Sequence, residues 1–138
     1  MAGVIHADVE AVVVGHLRTA LAARSEPFAA NVTVRNRVPD ETASQPWPTS
    51  KRLVVVRDDG GPSLGDVRAV ARLGVRVWGA DEAEASDLAN LVSALVASME
   101  NVGPVRRSDS ARPYEVTEQS GRPCFYFTSE LVVRGSSL

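Results

Sequence analysis

From Asp8 to about Ala23 the apolar residues return at helical spacing, with Val9, Val12, Val13, His16, Leu17, Ala20 and Leu21 on one side and Glu10, Arg18 and Thr19 on the other. This pattern predicts an amphipathic helix with Asp8 as its N-cap, Glu10 at the positive end of its dipole, and a stop at Ser25-Glu26-Pro27. From Asn31 the period changes to two: Val32, Val34 and Val38 face one way and Thr33, Arg35 and Arg37 the other, which predicts a half-exposed strand ended by Pro39. Asp40 to Lys51 has no apolar period and holds Pro46, Trp47 and Pro48, so it reads as a long surface loop carrying an aromatic residue.

Arg52 to Arg57 is a β-branched run apolar on both faces, as in a strand covered on both sides. Asp58-Asp59-Gly60-Gly61-Pro62 then supplies acceptor side chains, two flexible residues and a non-donating proline, a chain reversal. Val67, Ala69, Ala71, Leu73, Val75 and Val77 alternate with Arg68, Val70, Arg72, Gly74, Arg76 and Trp78. That alternation predicts a long antiparallel strand, although the spacing of the arginines leaves a short helix open before Leu73. Asp81 with Glu84 three residues later makes a capping-box-like start to a second helix, apolar at Ala85, Leu88, Ala89, Leu91, Val92, Leu95, Val96 and Met99 and closed by Asn101 to Pro104. Val105 to Arg107 and Phe125 to Val133 read as strands, with Phe125, Phe127, Leu131 and Val133 on one face, a turn at Gly121 to Pro123, and room for a short strand near Tyr114.

The order is α-β-β-β-α-β-β. It predicts an α+β fold, a mainly antiparallel β-sheet with two α-helices on one face, in one domain spanning residues 1–138. With 138 residues, 44% hydrophobic but only 5% aromatic, the core must be built chiefly from Val, Ala and Leu. A chain of this size buries roughly two thirds of its unfolded surface, enough to fold without a metal or disulfide. A formal charge of −2 argues against a general nucleic-acid binder or a membrane-surface domain. The N-terminus lacks the features of a secretory signal and no long uncharged stretch is present, so a soluble protein of a reducing cytoplasm is expected. Lys51 is the only lysine; arginine supplies every other basic position, a sign of a GC-rich genome.

Catalytic patterns are scarce. His16 belongs to the apolar stripe of the first helix and reads as a satisfied structural residue, while His6 precedes that helix. Cys124, between Pro123 and Phe125, reads as a buried strand residue, not a nucleophile. Asp58 and Asp59 are residue types that ligate metals or transfer protons, yet in this position they suit a turn better. Gly60-Gly61 is followed by neither phosphate-binding glycine pattern. No cofactor or metal is expected. Arg106-Arg107 and the set Arg68, Arg72, Arg76 can meet a polyanion, but solvated strand faces or inter-subunit ion pairs fit the acidic total better. Trp47 and Trp78 have no obvious core position and read as interface anchors.

Three segments, Arg52 to Gly61 ("RLVVVRDDGG"), Asp66 to Leu95 ("DVRAVARLGVRVWGADEAEASDLANLVSAL") and Arg122 to Gly135 ("RPCFYFTSELVVRG"), resemble the tail terminator proteins of long-tailed bacteriophages, especially those of high-GC Gram-positive hosts. Other head-tail connector, tail-completion and stopper proteins of the neck share much of this plan. The resemblance implies a non-enzymatic structural protein of the virion, assembled in the host cytoplasm. In that family six copies close into a ring that caps the tail tube, stops its polymerisation, joins it to the head connector and lets genomic DNA pass through its lumen without sequence-specific binding. No membrane is involved. A closed ring requires two different complementary patches on each subunit. The expected carriers are the Arg52 to Trp78 hairpin with its Asp58 to Gly65 tip and the Asp40 to Lys51 loop, through Trp47, Arg57, Asp58, Asp59, Arg72, Arg76 and Trp78. The competing readings are a small-ligand domain or enzyme using Arg57, Asp58 and Asp59, and a nucleic-acid regulator using Arg68, Arg72 and Arg76.

Overall fold

A computed structural model of the chain describes residues 4–64 and 67–137; Gly65 and Asp66, at the end of the expected hairpin tip, lie outside the described residues. The architecture is α+β, with both helices on one face of a six-stranded, mostly antiparallel sheet. Helix α1 (Val9–Ala22) starts where the Asp8 side chain accepts a hydrogen bond from the Ala11 N–H at 3.1 Å, satisfying a donor the helix itself cannot. Its buried stripe is Val9, Val13, Val14, Leu17 and Leu21. His16 lies half-buried beside that stripe with its Nε2 buried and without a hydrogen-bond partner among the described residues, so it is not the satisfied residue expected. Helix α2 (Glu82–Ala97) begins in the same way, with Asp81 accepting from the Glu84 N–H at 2.8 Å.

The strands are β1 (Val4–Ile5), β2 (Thr33–Arg35), β3 (Leu53–Asp58), β4 (Arg68–Trp78), β5 (Val105–Ser110), β6 (Tyr114–Val116), β7 (Cys124–Arg134) and β8 (Ser136–Ser137). In the main sheet they lie in the order β2-β3-β4-β7-β5, with β6 also paired to β7, while β1 and β8 form a separate two-stranded sheet. Only the β2–β3 pair is parallel. Strands β4 and β7 pair along all 11 residues of each, a ribbon roughly 36 Å long at about 3.3 Å per residue. The helical alternative before Leu73 is thus excluded by pairing: each β4 residue from Arg68 onward has a partner on β7.

Register sorts the side chains by face. Val54, Val56, Leu73, Val75, Val77, Phe127, Leu131 and Val133 meet the stripes of α1 and α2 in the main core. Gly79 joins β4 to α2 so tightly that a Cβ there would sit 2.5 Å from the Ala85 backbone nitrogen. Strand β2 is shorter than its alternating pattern: it ends at Arg35, and Val38 is 43% exposed. The chain leaves the sheet because Asn36 is occupied elsewhere, donating to Glu10 Oε1 at 3.2 Å and accepting from Arg57 Nη1 at 3.1 Å.

Candidate interaction surface

The sheet face turned away from the helices is built from the alternate residues of the same strands: Leu53, Val55 and Arg57 on β3, Arg68 to Trp78 in steps of two on β4, and Cys124 to Arg134 in steps of two on β7. It has an aromatic end and an arginine end.

At the aromatic end Leu53, Val55, Trp78 and Cys124 form a second, smaller core, against which Trp47 and Val116 pack. Trp78 is 1% exposed, meets Trp47 edge to face at a centroid distance of 5.4 Å, and donates its indole N–H to Glu118 at 2.6 Å. Trp47 is half-buried and lies under the Arg122 guanidinium, 3.9 Å from its ring centroid. Arg122 in turn makes a two-point pair with Glu41 at 2.7 and 3.1 Å. The expectation that both tryptophans stand free as anchors is therefore corrected. The loop after β2 folds back over the sheet, and burying an indole against another apolar surface is favoured over leaving it in water by roughly 2–3 kcal/mol. Burial also pushes the Cys124 thiol up to about 12, as expected of a structural and not a nucleophilic cysteine.

At the arginine end, Arg37, Arg57, Arg76, Asp59 and Tyr126 surround a cleft of about 350 Å³ floored by Gly74 and Val55, with Val38 on its rim. Gly74 is what makes the room: a Cβ at this position would lie 2.7 Å from Tyr126 Oη and 3.1 Å from Asp59 Oδ2. Burial, reinforced by the nearby Asp59 charge, raises the affinity of the Tyr126 phenol for its proton. Tyr114, 56% exposed, stacks edge to face on Tyr126 at 5.8 Å.

Of the residues expected at an interface, Arg57, Asp59 and Arg76 are brought together in this cleft. Arg72 is exposed one step along β4, opposite Glu130 on β7, and lines a neighbouring depression with Asp59 and Asp109. Asp58 is a turn residue: its Oδ1 accepts from the Gly60 N–H at 2.8 Å, and its own N–H donates to Glu10 Oε2 at 2.7 Å. Trp47 and Trp78 lie at the other end. Sequence reasoning missed Arg37, Tyr126 and the spacer role of Gly74. A glycine inside an otherwise regular strand was the available signal for Gly74, whereas nothing local marks Arg37, which reaches the cleft only because β2 stops early.

The far edge of the sheet is acidic. Glu115 on β6 lies against Glu82 in the first turn of α2, and a hydrogen bond between the two carboxyl groups, reinforced by the repulsion of like charges, holds the Glu115 carboxyl above the usual carboxylate range. Glu84, by contrast, is held below that range by Arg52, which donates to both its oxygens at 2.8 and 3.2 Å. Among the described residues no group of three or more His, Cys, Asp or Glu is placed to hold a metal ion, and no helix is long and apolar enough to cross a membrane.

No family model and no curated protein sequence matches the chain. Among solved structures, a chain from the virion of native gene transfer agent (GTA) particle aligns over 92% of this chain and 95% of its own length, with a TM-score of 0.66 and 20% sequence identity. At that identity the likeness is one of fold.

Proposed function

We propose that this chain is a structural protein of a phage-like virion, and within it a tail terminator: a non-enzymatic subunit whose six copies form a ring that caps the tail tube, stops its growth and presents a surface to the head connector or stopper. The observation that carries the reading is the near full-length fold match to a chain of a virion particle, aligned over 92% of one chain and 95% of the other. The resemblance of Arg52 to Gly61, Asp66 to Leu95 and Arg122 to Gly135 to tail terminators supplies the finer role. The reading places the subunit in the tail or neck, assembled in the host cytoplasm, with genomic DNA crossing the lumen. Arg57, Asp59, Arg72 and Arg76 then work as contact residues, because guanidinium and carboxylate groups on a strand face pair across subunits without needing a catalytic base. Trp47 and Trp78 pack the other end of the same face.

Deleting the gene from the parent phage or particle tests this reading. A terminator is required for length control, so the expected lysate holds tail tubes of uncontrolled length and unjoined heads by negative-stain microscopy. Tubes of normal length beside unattached heads would instead place the chain elsewhere in the neck, and intact particles would overturn a virion role.

A further inference from the structure

The outer face of the sheet and its β6 edge carry opposite charge, and among the described residues no ion pair neutralises either cluster. On the outer face, beside the point where the chain leaves the sheet after β2, Arg37, Arg57 and Arg76 converge on one cleft, and none of the three forms an ion pair among the described residues. Among the described residues the single carboxylate in that cleft is Asp59. On the β6 edge, Glu82 and Glu115 are exposed and crowd each other, and Glu118 lines the shallow groove beside them. The one arginine in this groove, Arg122, is already committed to Glu41 and to the face of Trp47.

Strand order keeps the two clusters apart. Arg57 on β3 lies three strand spacings from β6, roughly 14 Å, and Arg76 on β4 lies two, roughly 10 Å, both beyond the reach of a direct ion pair and of a Debye length of about 8 Å at physiological salt. A second copy whose β6 edge is laid against this face brings them together. We propose that the acidic edge of one copy, Glu82 and Glu115, seats in the arginine cleft of a second copy, Arg37, Arg57 and Arg76. Guanidinium groups in a partly enclosed cleft pair with carboxylates in a two-point geometry, and each new guanidinium relieves the Glu82–Glu115 repulsion. The Tyr126 hydroxyl and the Val38 rim add a hydrogen-bonding group and an apolar contact to the same cleft. Because the joined surfaces differ, the contact is heterologous: after each contact the growing assembly keeps one unused cleft at one end and one unused acidic edge at the other, so association propagates until rotation closes it. It rests on the proposed ring for that closure, not for its chemistry.

Charge exchange between the cleft and the acidic edge is the test, read by analytical ultracentrifugation at low and high salt with circular dichroism as the check on folding. Wild type is expected to associate, and to do so less as salt rises. Arg57→Glu with Arg76→Glu makes both cleft and edge acidic, and Glu82→Arg with Glu115→Arg makes both basic. Each variant alone should associate about a hundredfold more weakly than wild type, since like charges now meet. Their equal mixture should recover association, because the cleft and the edge of one variant then each find their complement on the other. Arg57→Gln with Arg76→Gln, which removes charge without reversing it, should give an intermediate loss. Folded variants that associate like wild type, or a mixture that stays monomeric, would overturn the contact. So would a wild type that stays monomeric at about 1 mM in low salt, or one whose cleft binds duplex DNA while the protein remains monomeric. A ring indifferent to the exchange would reject this contact and leave the terminator reading in place, whereas normal tails in the deletion strain would reject the terminator and leave the contact to the ultracentrifuge.

Discussion

Cys124 lies on the outer face of the sheet yet is 1% exposed, because Trp47 and Trp78 cover that end, and burial pushes its thiol up to about 12. An unfolded cysteine ionises near pH 8.5. Between these values the unfolded chain loses a proton that the folded chain keeps. The stabilisation is complete below about pH 8.5 and declines as pH rises toward 12. The expected excess loss between pH 8 and 10.5, relative to Cys124→Ala, is on the order of 2 kcal/mol in urea unfolding. The same burial predicts that a thiol reagent labels Cys124 only at the rate of unfolding; fast labelling of the native protein would show that the tryptophan cover opens. At this scale the sequence was partly legible. Cysteine between Pro123 and Phe125 in a strand already read as structural, but its cover comes from Trp47, 77 positions away in the chain, which no local pattern reveals.

Elements are joined more tightly than their separate patterns show. Strand β4 passes into α2 with only Gly79 to Asp81 between them, and a Cβ on Gly79 would meet the helix backbone at 2.5 Å. Backbone in the first turn of a capped helix cannot yield as a flexible side chain does, so Gly79→Ala should destabilise the fold by about 1–3 kcal/mol, measurable as a lowered Tm. The loop after β2 makes a different prediction. Its ends, Glu41 and Lys51, both have left-handed backbone, at φ 62 and 63, a conformation unfavourable for residues with a Cβ by roughly 1 kcal/mol each. It is held by the Glu41–Arg122 pair and the stack of Arg122 on Trp47. Glu41→Gln should therefore loosen the loop with little effect on global stability: faster hydrogen exchange across 42–50, more exposed tryptophan emission, and a Tm within a few degrees of wild type. The existence and order of both helices and the long strands followed from periodicity, since apolar spacing of 3.6 or 2 is imposed by which face is buried. The end of β2 did not, because Val38 continues the alternation while side-chain bonds to Asn36 draw the backbone out of the sheet.

For the whole molecule, both layers share one sheet: β4 and β7 contribute one face to the helix-covered core and the other to the Trp47–Trp78 cluster. Losing either strand removes both clusters at once. We therefore expect the chain to behave as one domain, unfolding in a single transition in which tryptophan fluorescence and far-ultraviolet circular dichroism coincide. Separate midpoints would mean that the aromatic cluster melts independently of the core. What the sequence determined by itself was the two helices, the main strands, their order and the α+β class, since these depend on residues near one another in the chain; the short β1–β8 pair at the chain ends carried no such local pattern. What only the tertiary structure decided was which charges meet. Arg37, Arg57 and Arg76 share a cleft, while Glu82 and Glu115 crowd the β6 edge. Trp47 and Trp78 turn inward to each other. The reason is physical: alternation assigns a strand residue to a face, but strand order and the path of an irregular loop decide its neighbours, and both are settled by packing between distant segments.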